Sequence, residues 1–147
     1  MKIEEYFTKE QKKEIEASIK EAELNTSGEI RVHIEDECKG DTLDRASYIF
    51  KILGMHKTDL RNGVLFYLAL KSKKFAILGD AGINAKVSEG FWDNIKNIMQ
   101  EHFSNGEYSE GLSTGIILAG EALRKHFPYQ EDDINELSNE ISFGKKK

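Results

Sequence analysis

The chain has 147 residues, enough for one domain with a real core, and its 39% hydrophobic and 32% charged content is that of a globular protein, not a disordered one. A net charge of −5 argues against a nucleic-acid binder, which needs a basic surface to displace phosphate counterions. The single cysteine, Cys38, excludes an internal disulfide framework and a CxxC zinc site; its neighbours Glu35-Asp36-Glu37 would raise a thiol pKa where a nucleophile needs it lowered.

The start of the chain, Met1-Lys2-Ile3-Glu4-Glu5, lacks an apolar signal core, and no run approaches the ~20 apolar residues of a membrane span. The expectation is a cytoplasmic protein with no membrane insertion. Thr8 followed by Gln11 resembles a capping box, and the helix it opens carries Ile15, Ile19 and Ala22 on one face. Glu29-Ile30-Arg31-Val32-His33-Ile34-Glu35 alternates strictly, which predicts a half-exposed strand at or near a sheet edge with His33 on its polar face.

Gly40-Asp41-Thr42 caps a second helix with Leu43, Ala46, Ile49, Phe50 and Leu53 as its apolar positions, and Gly54 ends it. Val64–Leu70 is apolar throughout, as in a central strand covered on both faces. The helix between these two strands predicts a parallel pair with a right-handed crossover. Phe75–Leu78 returns antiparallel after the turn Lys71-Ser72-Lys73-Lys74.

Two more helices follow, one lined by Val87, Phe91, Ile95, Ile98, Met99 and Phe103, the other by Tyr108, Leu112, Ile116, Ala119 and Leu123. Of the pair Phe91-Trp92 one is core, and the other is core or closes, from the helix after Asp80, over the polar rim described below. Residues 8–128 form the expected domain, closed by Pro128. Residues 129–147 read as a tail or peripheral helix with Ile134, Leu137 and Ile141 at amphipathic spacing. The expected fold is α/β, a three-layer α/β/α sandwich on a small mixed sheet.

That topology brings three polar stretches to one rim: Gly28-Glu29, Asp59-Leu60-Arg61-Asn62-Gly63 and Gly79-Asp80-Ala81-Gly82. Glu29, Asp59, Asn62 and Asp80 are an all-oxygen set of the kind Ca²⁺ or Mg²⁺ prefers, and nearby glycines let backbone carbonyls approach an ion. The alternative is plain turn chemistry: Asp80 in an Asx turn, Asn62-Gly63 in a turn, and Glu29 paired with Arg61 or Arg31. A second acidic locus, Glu35, Asp36, Glu37, Asp41 and Asp44, lies at the opposite edge but lacks EF-hand order, and Asp41 suffices as a helix cap. His33, His56, His102 and His126 do not form a ligand set, and there is no HExxH, no GxxxxGK and no GxSxG.

Read in order, Thr26–Val32, Phe50 with Leu53-Gly54-Met55, Thr58 with Arg61–Leu65, Gly79–Ile83, Phe91-Trp92, and Gly106, Tyr108 and Gly111 resemble the TPM domain family over about residues 8–128. That family groups thylakoid lumen, photosystem II repair and related bacterial proteins, and is often labelled TPM phosphatase. The resemblance implies an α/β/α sandwich, binding of Ca²⁺ or another divalent cation, and, as an alternative function, an acid phosphatase activity by metal-assisted hydrolysis. By position Glu29, Asn62 and Asp80 match the family's polar rim, with Asp59 in a more variable loop. Many members carry signal peptides, membrane anchors and low-complexity tails, none of which is found in this sequence. Bacterial relatives often occur with LemA-type membrane proteins, which implies such a partner. The expected role is a cation-binding accessory or protein-interaction module.

Overall fold

The computed structural model describes residues 7–129 and 138–144. Helix α1 (Lys9–Glu23) starts on a complete capping box: the Gln11 amide donates to Thr8 Oγ1 at 3.0 Å and Gln11 Oε1 accepts from the Thr8 amide at 2.8 Å. Strand β1 (Glu29–Glu35) leads through α2 (Thr42–Ile52), capped by Asp41, into β2 (Gly63–Ala69). Gly54 ends the α2 region in the left-handed conformation at φ 71°, followed by a single 3₁₀ turn over Met55–Lys57. β3 (Lys74–Gly79), the one-turn α3 (Ala81–Asn84), α4 (Phe91–Ser104) and α5 (Tyr108–His126) complete the body.

The sheet order is β3-β2-β1-β4, with β1 and β2 parallel and β2 and β3 antiparallel. Alternation on each strand divides the core in two. Ile30, Val32 and Ile34 of β1 and Val64, Phe66 and Leu68 of β2 pack with residues of α1, α4 and α5. Leu65, Tyr67 and Ala69 pack with Ala46, Ile49 and Phe50 of α2. The result is the expected three-layer α/β/α sandwich.

Three expectations need correction. β1 is an interior strand, and every residue of it except Arg31 is buried, His33 included. The edge beside it is taken by β4 (Ser142–Phe143), parallel to β1, with Ile141 buried in the core, so Ile141 lies in extended chain rather than on a helix. Ile134 and Leu137 lie outside the described residues. Leu43 and Ile98 are exposed, and Val87 precedes α4 instead of lying on it.

Helices α1 and α5 are in close contact at Gly120, where an added Cβ would sit 2.6 Å from Ala22 Cβ and 2.7 Å from its Cα. Relief requires the two backbones to part. Gly120→Ala is therefore expected to destabilise the fold by about 1–3 kcal/mol despite its better helix propensity, measured as a lower urea midpoint.

Candidate functional site

Strand register assembles the rim. Glu29 is level with Gly63, and Val64 with Gly79, so the start of β1, the start of β2 and the end of β3 share one edge. The Glu29 amide faces the Asn62 carbonyl at 3.5 Å, and the Asp80 amide donates to the Gly63 carbonyl at 2.9 Å. The Gly82 amide donates to the Arg61 carbonyl at 2.7 Å. A Cβ on Gly82 would lie 2.1 Å from the Leu60 carbonyl oxygen, so only glycine lets α3 seat against this loop.

Side chains then differ sharply in role. Glu29 (3% exposed) and Asn62 (1%) are buried, and among the described residues Asn62 Nδ2 has no hydrogen-bond partner; nearby in the loop, Thr58 Oγ1 is also buried without one among them. Asp80 is buried as well and is doubly used. Its Oδ1 caps α3 by accepting from the Ala81 amide at 2.7 Å, and both oxygens accept from Arg61, Nε to Oδ2 and Nη2 to Oδ1, each at 2.7 Å. The hydrogen bonds that Arg61 donates to Asp80, together with the carboxylate's charge, raise the Arg61 pKa. Arg61 holds this pose from a left-handed backbone at φ 52°, unusual for a residue other than glycine.

Asp59 is exposed on the turn and does not join the buried set. Among the described residues, no three His, Cys, Asp or Glu side chains converge to hold a metal, so the oxygens of Asn62, the backbone or water would have to complete any cation shell.

Two rim residues carry no signal of their own in the sequence. Asn84 donates from Nδ2 to the Gly79 carbonyl at 2.8 Å and accepts at Oδ1 from Trp92 Nε1 at 2.8 Å. This ties the indole across Gly79, where an added Cβ would lie 2.8 Å from Trp92 Cζ2. Trp92 thus packs edge-on against Phe91 and also closes over the end of β3. Glu23, the last residue of α1, accepts from the Ile30 amide at 2.8 Å, beside Glu29 in the chain.

The opposite edge holds a closed polar network. Glu35 Oε2 and Oε1 accept from Arg45 Nε and Nη2 at 2.8 Å each, Tyr67 Oη donates to Oε2, and His33 Nε2 lies 3.2 Å from Oε1. His33 Nδ1 meets Ser142 Oγ at 2.9 Å, and its ring stacks on Tyr67. Burial opposes ionisation of Glu35, yet the bonds from Arg45, His33 and Tyr67 outweigh it and hold the carboxyl far below its ordinary range. Glu35 is thus consumed by structure, and Asp41 by capping α2, its Oδ1 accepting from the Asp44 amide at 3.0 Å.

A sequence profile of the TPM domain matches residues 2–122. The solved BA42 protein of the psychrophilic bacterium Bizionia argentinensis is similar at 51% identity and TM-score 0.89, over 97% of this chain and 99% of that one. The N-terminal domain of a P. gingivalis protein (18% identity, TM-score 0.70, 85% and 83% covered) and that of cg2496 from Corynebacterium glutamicum (14%, 0.64, 80% and 74%) share the fold. No curated protein matches the sequence. The chain belongs to the TPM domain family. Among the described residues no helix is long and apolar enough to cross a membrane.

Beside the rim, burial pushes the Glu23 carboxyl up to about 7 from 4.5, against the lowering effect of the Ile30 amide. A raised carboxyl pKa favours the folded state while protonated. Its contribution is complete below the unfolded value of 4.5 and is lost as pH rises through about 7. Glu23→Gln keeps an acceptor for Ile30 and removes the charge. Urea melts across this window should show the wild type losing at most about 3 kcal/mol relative to the variant as pH rises.

Proposed function

We propose that the protein is a divalent-cation-binding TPM module with an accessory or protein-interaction role, the ion taken at the rim of Glu29, Asn62 and Asp80 with Asp59 at its mouth. One observation carries this reading: strand register places two buried carboxylates and a buried amide at one edge, beside loop carbonyls. Buried side-chain oxygens of this kind suit Ca²⁺ or Mg²⁺ rather than zinc or copper. The Arg61 guanidinium already neutralises Asp80, so the ion has to displace it. Binding is accordingly weak and salt-sensitive, suited to a module that responds to ion concentration rather than one that needs metal to fold. The partner class carried with this reading is a LemA-type membrane protein, as the family resemblance implies.

Titrating Ca²⁺ and Mg²⁺ while following amide resonances tests it. Saturable shifts centred on residues 29, 58–63 and 79–82 are expected at millimolar ion; if these amides stay still, the assignment fails. Arg61→Asn, which tolerates the left-handed backbone, should tighten binding severalfold by removing the competing cation. Asp80→Asn should abolish it.

A further inference from the structure

We infer that the groove between α4 and α5 is a binding site for a single-chain amphiphile with an anionic head, of the fatty-acid class. The groove encloses about 500 Å³, within the range of roughly 300–1,000 Å³ typical of small-molecule sites. Its floor is apolar: Ile95 and Ala122 are buried, Phe91 and Leu118 half-buried, and Ile98 remains 39% exposed.

Positive charge is gathered at one end of the groove, with Asn94 and Glu121 midway along it, and that selects the occupant. Helices α4 and α5 are joined by a short turn around Gly106 and pack together, so the start of α4 lies beside the end of α5. Lys86, just before α4, and Lys125 and His126, in the last turn of α5, therefore line the same end. None of the three has a carboxylate within 4 Å among the described residues. Glu121 is the one acid in the lining, set a turn back from Lys125. Ile98 and Leu118 lie away from the cations, toward the turn around Gly106. A headgroup end and a tail end follow, in a protein whose net charge is −5.

The cationic end also opens on the rim's side of the molecule. α3 leaves directly from Asp80 toward Lys86, and the bridge between Thr26 and Pro128 ties the end of α5 to the chain entering β1. The inference does not depend on cation binding at the rim.

Amide resonances should be followed during titration with dodecanoate below micelle formation, with dodecyltrimethylammonium (same tail, opposite head) and acetate (head alone) as parallel arms. Dodecanoate is expected to give saturable shifts over residues 86–98 and 118–126, the ammonium amphiphile to bind about tenfold more weakly, and acetate to leave these residues unmoved. Lys86→Glu with Lys125→Glu should weaken dodecanoate about tenfold while the fold, read from the remaining resonances, is unchanged. Ile98→Asp, at an exposed position, should abolish binding. Equal affinity for both head charges, shifts centred elsewhere, or capture by phosphatidylglycerol vesicles with no response to the free amphiphile would each overturn the inference.

Discussion

The parallel pairing of β1 with β2, in the register that sets Glu29 beside Gly63, is the constraint on which the rest of the molecule depends. Side chains alternate between faces, so a slip of one residue would carry Arg31, His33 and Glu35 into the apolar layer under α1 and α5, and Ile30, Val32 and Ile34 into the polar network. Two buried faces of opposite chemistry make such a slip very costly. The same register fixes the rim, because Asn62 comes alongside Glu29 only when Gly63 is level with it. The hairpin then places Gly79 next to Val64 and Asp80 on the same edge.

The polar face of β1 shows what a hydrophobic pattern can and cannot convey. Alternation correctly places Ile30, Val32 and Ile34 in the core, but it reads His33 and Glu35 as solvent-facing. Both are buried because each has partners drawn from elsewhere: Arg45 from α2, Tyr67 from β2 and Ser142 from β4. A fully satisfied network in low dielectric is as stable an interior as an apolar one, and it looks identical to a wet strand face in sequence. The strand closing that edge was hidden for a similar reason. It has two residues, and its anchors are Ile141 in the core and a 2.8 Å bond from the Gly144 amide to the Ile34 carbonyl, none of which is a periodic signal.

At the rim, the elements and their shared edge were legible because long apolar runs, a crossover helix and a short hairpin leave few topologies open. The side-chain chemistry was only partly so. Glu29, Asn62 and Asp80 were identifiable as neighbours on one edge, and Asp80 caps α3 from a buried position. The turn-chemistry alternative offered Arg61 or Arg31 as a partner for Glu29, whereas the structure pairs Arg61 with Asp80. That choice rests on a left-handed backbone at Arg61, which residue type does not announce. Asn84 and Trp92 were invisible as a unit, because their bond spans eight residues and two helices.

The Arg61–Asp80 pair is asymmetric, and this shapes what the rim can do. Arg61 is half exposed while Asp80 is almost wholly buried. Opening the pair from the arginine side returns a guanidinium to water at little cost, but it leaves Asp80 with the Ala81 amide alone against the penalty of a buried charge. Asp80 therefore needs a cation beside it, and in this structure Arg61 is that cation. In the proposed reading, the ion replaces a tethered cation that the chain itself supplies. Occupancy then switches Arg61 between a fixed surface feature and a free side chain, which is a change a protein partner can recognise.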